Sequence, residues 1–318
     1  MDKIWLKNYP ANVKHDIDPN EYASLTDLLT RAFQQHGDTP FSVCMERWMT
    51  YRELDQLSQA LAAWFQSQGL QPGDRIALML PNIPQFAVTM AAILRAGYTC
   101  VNVNPLYTAR ELEHQLKDSG ANAIVILENF AHTLAEVIEH TQIKHTVLAS
   151  MGDLLGPVYG RWITFAVRHL AKMVPEFELP LDDQHKVTSF KDAIAAGRHQ
   201  SFKAVPQTLD DIAFLQYTGG TTGLSKGAVL THRNIVAAIL QAETWFAPAL
   251  DRLPDLRKVN SIAALPLYHI FALTLCFLAI RQGSHLTLVP NPRDFAKFIE
   301  TLKKRPFHML PGVNTLFN

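Results

Sequence analysis

The sequence predicts an α/β fold of stacked βαβ subdomains, in which helices connect the strands of a parallel sheet. Between residues 75 and 149, short apolar segments alternate with amphipathic segments of about eleven residues, a pattern typical of βαβ crossovers. The short segments are apolar at nearly every position, as expected for strands that are buried on both faces. Strands and helices alternate again after residue 207, so the same architecture is predicted for the second part of the chain.

The first 69 residues predict two capped helices with two short strands between them. The helix at 24–37 begins with Ser24 as its N-cap. Thr50 and Glu53 have the spacing of a capping box, which predicts a second helix ending at Gly69. The two strands are predicted at 41–44 and 48–49.

The next segment carries the most regular alternation in the chain. Strands are predicted at 75–80, 99–103, 123–127 and 146–149, and helices at 85–95, 109–119 and 131–141.

Residues 150–206 interrupt this alternation and predict an insertion. Within it, residues 161–174 have the pattern of a basic amphipathic helix. Such a helix can lie on an anionic membrane or pack on the protein's own core, and the second arrangement is the commoner one. Residues 180–206 are polar and predict loops at a boundary between lobes. We therefore expect one lobe over 50–200 and a second, incomplete one over 207–318.

The second lobe contains an apolar stretch, 261–280, that is long enough to cross a bilayer. Pro266, Tyr268 and His269 interrupt it, which favours a buried strand followed by a buried helix. The last residues, 312–318, have the pattern of a helix start, so we expect the chain to be a fragment of a larger fold. Further strands are predicted at 212–216, 228–231 and 285–289, and further helices from Arg233 and over 295–304.

Composition excludes several functional classes. The 318 residues include 29 basic and 29 acidic side chains, which argues against a nucleic-acid binder held by bulk charge and against a charged disordered chain. Only 18% of the residues are charged, so apolar surface beyond an ordinary core should be buried. The three cysteines and thirteen histidines show no disulfide or metal-ligand spacing, which predicts no metal site and a reducing, cytoplasmic setting.

The segment Y-T-G-G-T-T-G-L-S-K-G-A at 217–228 contains four of the 15 glycines of the chain. Glycines that let a ligand approach the backbone, together with hydroxyl groups and a lysine, suit a bound polyphosphate. The Walker A pattern is not met. The hydrolase pattern G-x-S-x-G is met at 223–227, but the preceding strand ends too early for a nucleophile elbow, so a serine esterase is disfavoured. The predicted binding residues are Tyr217, Thr218, Gly219, Gly220, Thr221, Thr222, Gly223, Leu224, Ser225, Lys226, Gly227 and Ala228.

This loop resembles the phosphate-binding loop of adenylate-forming enzymes, the group of acyl-CoA synthetases, luciferases and peptide-synthetase adenylation domains. Residues 101–121, 264–274 and 312–318 narrow the resemblance to bacterial long-chain fatty-acid–CoA ligases, and it spans the whole chain. Gly220 and Ser225 replace the serine and proline that are frequent in the family loop. The resemblance implies that 1–318 is part of an N-terminal AMP-binding domain, cut before its third subdomain and the C-terminal lid.

The resemblance also implies two half-reactions. A fatty carboxylate attacks the α-phosphate of Mg-ATP, and the thiol of coenzyme A then displaces AMP from the acyl-adenylate. Residues 218–226 would hold the β- and γ-phosphates, and His269 would lie beside the substrate carboxylate as the catalytic candidate. The magnesium ligand is expected beyond residue 318. Tyr268, Ile270, Phe271 and Leu273 would line the acyl channel, although helical core packing explains these four residues equally well.

Alternatives remain open at this point. A fatty-acyl-AMP ligase or an acyl-carrier-protein ligase shares the loop and differs in the thiol acceptor. A nucleotide- or lipid-binding module without catalysis is the alternative from another class. We expect the partners to be a long-chain fatty acid, ATP, coenzyme A and the missing C-terminal part, and we expect 1–318 alone to be inactive. Peripheral contact of 161–174 with the inner membrane is a further expectation, and formation of a homodimer is left open.

Overall fold

The computed structural model confirms the α/β class and describes residues 3–182, 184–219, 225–253 and 255–317. Its strands form one seven-stranded and one four-stranded sheet. The strands are β1 (Pro40–Cys44), β2 (Arg47–Thr50), β3 (Arg75–Met79), β4 (Thr99–Asn102), β5 (Ala123–Leu127), β6 (His145–Ala149), β7 (Lys186–Ser189), β8 (Ile212–Thr218), β9 (Lys226–Thr231), β10 (Asn260–Ala263) and β11 (His285–Leu288).

The helices connect and cover these strands. The α-helices are α1 (Leu25–His36), α2 (Tyr51–Ser67), α3 (Pro84–Arg95), α4 (Ala109–Ser119), α5 (Ala131–Ala135), α6 (Tyr159–Phe165), α7 (Phe190–Gly197), α8 (His232–Leu250), α9 (Ile270–Gln282), α10 (Phe295–Lys304) and α11 (Asn314–Phe317). A π-helix at Ala166–Leu170 continues α6, and 3₁₀ turns lie at Ile4–Asn8, Glu128–Phe130, Ile138–His140 and Leu256–Lys258.

The seven-stranded sheet has the order β7-β6-β5-β3-β4-β8-β9 and is parallel except for β9, which is antiparallel to β8. Both of its faces are covered. Ile76 and Leu78 of β3 belong to one hydrophobic core, and Ala77 and Met79 belong to another. This alternation follows the two-residue period of a strand and explains why the strand segments are apolar throughout.

The four-stranded sheet has the order β10-β11-β1-β2, with only β1 and β2 antiparallel. Its strand β11 contributes Leu286 and Leu288 to the same core that holds Ile76 and Leu78. Residues of α1, α2, α3, α8 and α9 complete that core, so these helices pack between the two sheets. Each sheet combines strands from both sides of residue 207, so neither sheet follows the predicted lobe boundary.

Local signals located several elements well. The hydroxyl of Ser24 accepts a hydrogen bond from the backbone N–H of Asp27, which caps α1 as predicted. Thr50 and Glu53 form both hydrogen bonds of the capping box at α2. Within 261–280, strand β10 is followed by helix α9, as the buried interpretation predicted, although the strand ends at Ala263 and not at Pro266. Among the described residues, no helix combines the length and apolarity needed to cross a membrane.

Three predictions in the middle of the chain were wrong in detail. Residues 180–206 are not all loop, because β7 extends the sheet and α7 buries Phe190 and Ile194. The helix predicted at 131–141 is reduced to α5 and a 3₁₀ turn, since the β-branched pair Val137 and Ile138 turns into the core instead of continuing a helix. The helix predicted at 161–174 becomes α6 and the π-helix, and it ends before Lys172, whose φ is 51°.

Candidate active site

A cavity of about 410 Å³ lies at the carboxyl ends of strands from both sheets. The segments that follow β3, β4, β5, β10 and β11 contribute to its wall, with Asn82, Leu106, Phe130, Tyr268 and Arg293 among the lining residues. Ligands of open α/β sheets bind at this edge, and the volume lies in the range of small-molecule sites. This edge is therefore the candidate active site.

The predicted phosphate loop connects β8 and β9 at the same edge. Tyr217 pairs with Gly227, and Thr218 pairs with Lys226, so both ends of the loop are held in an antiparallel ladder. A Cβ atom on Gly227 would lie 2.9 Å from the ring of Tyr217, so this close approach requires glycine. The predicted residues Gly220, Thr221, Thr222, Gly223 and Leu224 lie outside the described residues.

Helix α4 contacts both ends of this loop. His114 Nε2 lies 2.9 Å from the carbonyl oxygen of Ser225. The hydroxyl of Tyr217 donates a hydrogen bond of 2.5 Å to Oδ2 of Asp118. Burial, followed by the neighbouring carboxylate, raises the pKa of Tyr217, so the phenol keeps its proton and remains a donor.

A chain of buried amide groups leads from α4 to the segment that carries His269. Gln115 Nε2 donates to the carbonyl of Asn102 at 2.8 Å, and Asn102 Nδ2 donates to Oε1 of Gln216 at 3.1 Å. Gln216 Nε2 donates to the carbonyl of Tyr268 at 3.0 Å. Since Gln216 precedes Tyr217 and Tyr268 precedes His269, these bonds bring the start of the phosphate loop beside the His269 turn.

Asn82 fixes the same turn from the other side. Its Nδ2 donates to the carbonyls of Ala263 and Leu265 at 2.8 and 2.9 Å, and its Oδ1 accepts from the N–H of Leu267 at 2.8 Å. Asn82 is 3% exposed, and it satisfies the Leu265 carbonyl and the Leu267 N–H, whereas the Ala263 carbonyl also accepts a hydrogen bond from the backbone N–H of Val289.

His269 is the N-cap residue of α9, but its side chain makes no capping hydrogen bond. Its ring lies 4.6 Å from the ring of Tyr268, measured between centroids. Although His269 keeps solvent access, desolvation lowers the pKa of its imidazole. A neutral imidazole at pH 7 can donate one hydrogen bond and accept another, which suits a position beside a carboxylate.

The four candidates for the acyl channel do not share one surface. Tyr268 lines the cavity described above, whereas Leu273 is buried in the core. Phe271 is 54% exposed and lines a second recess of about 690 Å³, whose other walls are α8 and residues 9–17. Ile270 packs against the core from its edge.

The surface segment 158–173 combines exposed apolar and basic side chains. Asn129 Nδ2 donates to the carbonyl of Met173, and Arg168 bonds the buried carboxylate of Glu128, so the segment is fixed beside the cavity. No acidic residue occurs between 154 and 175. The exposed apolar residues are Val158, Tyr159, Trp162, Phe165, Leu170 and Met173.

Sequence reasoning missed Asn82, His114, Asp118 and Gln216. Two of them carry a signal that could have found them, because Asn82 and Gln216 are polar residues within or just after apolar strand segments. Such a residue is buried only when it is hydrogen-bonded. His114 and Asp118 lie on an ordinary amphipathic helix and carry no comparable signal. Within the described ranges, no three His, Cys, Asp or Glu side chains are grouped to hold a metal.

Solved structures share this fold. The anthranilate CoA ligase AuaEII, solved in complex with anthranoyl-AMP, matches 95% of this chain with a TM-score of 0.74 and 19% identity, over 52% of its own length. A long-chain-fatty-acid-CoA ligase from Archaeoglobus fulgidus matches 92% of this chain with a TM-score of 0.67 and 23% identity, over 53% of its own length. At these identities the likeness shows the fold.

Sequence relatives extend along the whole chain. The long-chain-fatty-acid–CoA ligase of Yersinia pestis is 47% identical over 320 aligned residues, which cover 100% of this chain and 55% of the relative. The Bacillus subtilis enzyme of the same name is 30% identical, over 99% of this chain and 54% of the relative. The chain thus spans about half the length of these relatives. Residues 29–318 match the family model described as AMP-binding enzyme, and the chain belongs to that family.

Proposed function

We propose that the protein to which this chain belongs is a long-chain fatty-acid–CoA ligase. In the first step, a carboxylate oxygen of the fatty acid bonds to the α-phosphorus of ATP, and pyrophosphate leaves. In the second step, the thiol of coenzyme A bonds to the acyl carbon, AMP leaves, and the thiol proton passes to a base or to water. The identity to relatives of that name supports the substrate class.

One observation carries the proposal. The β8–β9 loop, with its hydroxyls and lysine, begins beside the turn that holds His269, and Gln216 joins the two by a hydrogen bond to the Tyr268 carbonyl. The strand that leads into the loop proposed to bind phosphate is thus hydrogen-bonded to the residue before His269, at the edge of the sheet where ligands bind, and this supports the proposal.

The residues of the loop supply what the first step needs. Negative charge accumulates on the leaving pyrophosphate, and donors fixed in advance stabilise that charge. In our proposal the Thr218 hydroxyl and the Lys226 ammonium bind these oxygens, together with the part of the loop outside the described residues. His269 orients the fatty carboxylate through a hydrogen bond from its imidazole N–H.

Magnesium and coenzyme A complete the proposed set of ligands. Magnesium, when bound, would neutralise phosphate charge. The described residues hold no cluster of three His, Cys, Asp or Glu side chains that could bind the metal. In our proposal, as the family resemblance implies, the magnesium ligand lies beyond residue 318. The thiol acceptor would also be selected by residues outside this chain.

The apolar recess behind α9 is our candidate for the acyl tail. Phe271 and Trp245 are each 54% exposed on its walls, and covering them with an alkyl chain would stabilise the complex by about 0.8 kcal/mol per buried methylene.

The experiment is a coupled assay of the full-length protein with ATP, coenzyme A and a long-chain fatty acid. We expect acyl-CoA and AMP in equal amounts, and Lys226→Met should lower kcat/KM by about 10²-fold or more because charge stabilisation at the leaving group is lost. Lys297→Met, at an 82% exposed side chain on α10, is the matched control and should retain activity. Absence of acyl-CoA would refute the proposal.

Exchanging the acceptor tests the close alternatives. Thioester formation with acyl-carrier protein but not with coenzyme A would favour the carrier-protein ligase, and accumulation of acyl-AMP with either acceptor would favour the acyl-AMP ligase. Residues 1–318 alone should give no acyl-CoA, and turnover by this chain would contradict that expectation. Calorimetry with ATP and with fatty acid tests whether the chain acts only as a binding module.

Peripheral membrane contact through residues 161–174 is a second proposal. Exposed Trp162 and Phe165, stacked with ring centroids 6.0 Å apart, lie among basic side chains without a neighbouring carboxylate in the sequence. Apolar insertion combined with attraction to anionic lipid is typical of interfacial helices. Co-sedimentation with anionic liposomes should fall for Trp162→Glu and Phe165→Glu, and unchanged sedimentation would refute the contact.

A further inference from the structure

Helix α4 directs two side chains toward the candidate site. His114 and Asp118 are four residues apart and therefore lie on one face of the helix, one turn from each other. His114 contacts Ser225, at one end of the phosphate loop, and Asp118 contacts Tyr217, at the other end. The neighbouring pair on α4, Glu113 and Lys117, forms a partly exposed ion pair with each other.

In the hydrogen bond between His114 and Ser225, the donor and the acceptor can be assigned. A carbonyl oxygen only accepts hydrogen bonds, so Nε2 of His114 must carry the proton and donate it. Ser225 directly precedes Lys226, so this bond fixes the backbone from which the lysine side chain extends toward the proposed phosphates.

The contact with Tyr217 fixes the opposite strand. Tyr217 is 5% exposed, and its ring packs against Gly227 across the ladder. The short bond to Asp118 holds the ring in that position, and the ring in turn sets the distance between the two strands. The Tyr217 hydroxyl is thereby occupied by the protein's own carboxylate.

These contacts matter because β9 lies at the edge of the sheet. Among the described residues, its ladder is formed with β8 alone. Three of its six residues are exposed, and Val229 is 56% exposed. An edge strand of this kind, with few packing contacts, opens more readily than a central strand.

We propose that α4 is a positioning element for the nucleotide, with His114 and Asp118 as positioning residues that fix the two ends of the phosphate loop. The inference rests on the proposed function, and neither residue is assigned contact with the substrate. Gln115 connects α4 to the turn that carries His269, through a chain of hydrogen bonds that includes Asn102 and Gln216. One helix thus sets the phosphate-binding residues and the carboxylate-binding histidine relative to each other.

The test uses the full-length protein with paired variants. His114→Leu removes the donor, whereas His114→Gln restores an N–H near the position of Nε2. Asp118→Leu removes the acceptor, whereas Asp118→Asn keeps an oxygen acceptor. Glu113→Gln, at a partly exposed position of α4 whose carboxylate pairs with Lys117 and not with the loop, is the matched control.

We expect the KM for ATP to rise about tenfold in the leucine variants, since one fixed hydrogen bond is lost at each end of the loop. The KM for fatty acid should stay within about twofold, because no residue of β9 lines the recess proposed for the acyl tail. The glutamine and asparagine variants should recover most of the affinity for ATP. Equal increases in both KM values, or no recovery in the conservative variants, would indicate general disruption and overturn the proposal.

A second measurement does not depend on turnover. Amide hydrogen exchange at residues 225–228 should be faster in His114→Leu and Asp118→Leu than in the wild type, and unchanged in Glu113→Gln. Unchanged exchange in the leucine variants would overturn the proposal whatever the activity.

If the wild type makes no acyl-CoA, the proposed function fails, but the positioning role of α4 can still be tested. In that case, the ATP concentration that gives half-maximal protection of residues 225–228 from amide hydrogen exchange is measured in place of the KM for ATP. If this concentration is the same in the wild type and in the leucine variants, the positioning role is overturned. If a leucine variant fails to fold, Tyr217→Phe, which removes only the hydroxyl, is used for the same comparison.

Discussion

His232 gives a prediction in which folding stability depends on pH through one buried side chain. Its Nδ1 accepts a hydrogen bond of 3.0 Å from the backbone N–H of Leu25, at the first turn of α1. His232 is 1% exposed and begins α8, so the bond joins the starts of two helices that pack in the central core. An imidazolium has no free nitrogen lone pair and cannot accept this bond.

Desolvation lowers the pKa of His232 to about 4 in the folded protein, only partly offset by Asp211. The unfolded chain should titrate at the ordinary value of 6.5. The neutral form is thus the one that folding favours, so the contribution is complete above pH 6.5 and is lost as the pH falls toward 4. The difference between the two pKa values corresponds to about 3 kcal/mol.

The assay is urea unfolding at pH 7.5, 6.5, 5.5 and 4.5, for the wild type and for His232→Asn. Asparagine keeps an oxygen acceptor near the position of Nδ1 but does not titrate, so the other ionisable groups cancel when the two proteins are compared. We expect the wild type to lose about 2–3 kcal/mol more than the variant over this range. A difference that stays constant within about 0.5 kcal/mol would show that His232 titrates normally and would refute the reasoning.

Three further predictions concern stability measured by urea unfolding at pH 7.5. Asn82→Ala should cost about 2–4 kcal/mol, because the Leu265 carbonyl and the Leu267 N–H lose the partner that Asn82 provides, and a cost below about 1 kcal/mol would show that these hydrogen bonds contribute little. Gly227→Ala should cost about 1–3 kcal/mol, since its Cβ would meet the Tyr217 ring at 2.9 Å, whereas Gly219→Ala, whose Cβ would meet no atom of the described residues within 4 Å, should be nearly neutral. Thr50→Ala should cost about 1 kcal/mol through loss of the capping box at α2, and an unchanged midpoint would indicate that the cap contributes nothing.

The parts of the fold that depend on residues close together in the sequence, such as helix termini, could be predicted. The cap residues Ser24 and Thr50 start their helices where their spacing indicated, and α4 and α10 have the predicted bounds. These signals work because a helix terminus satisfies its free N–H groups within a few residues.

The order of the strands could not be predicted in the same way. Strand β8 pairs with β4 across more than one hundred residues, and β1 pairs with β11 across an even longer separation. Apolar strands that are buried on both faces resemble one another, so their composition does not specify a neighbour. The segment 180–206 was misjudged for a related reason, because polar residues surround the few apolar ones that β7 and α7 bury.

The candidate site combines residues that could be predicted from the local sequence with residues that could not. The loop was recognisable because its glycines, hydroxyls and lysine lie close together in the sequence, whereas His114 and Asp118 lie on an amphipathic helix that carries no comparable signal. Nothing local connects the two, since the pairs His114–Ser225 and Asp118–Tyr217 are separated by 111 and 99 residues. Because β4 and β8 are adjacent in the sheet, the helix that follows β4 comes to lie against the strand pair that follows β8. The strand order thus places an ordinary amphipathic helix against the ends of the loop. Residues such as His114 and Asp118 can therefore be identified only after the order of the strands in the sheet is known.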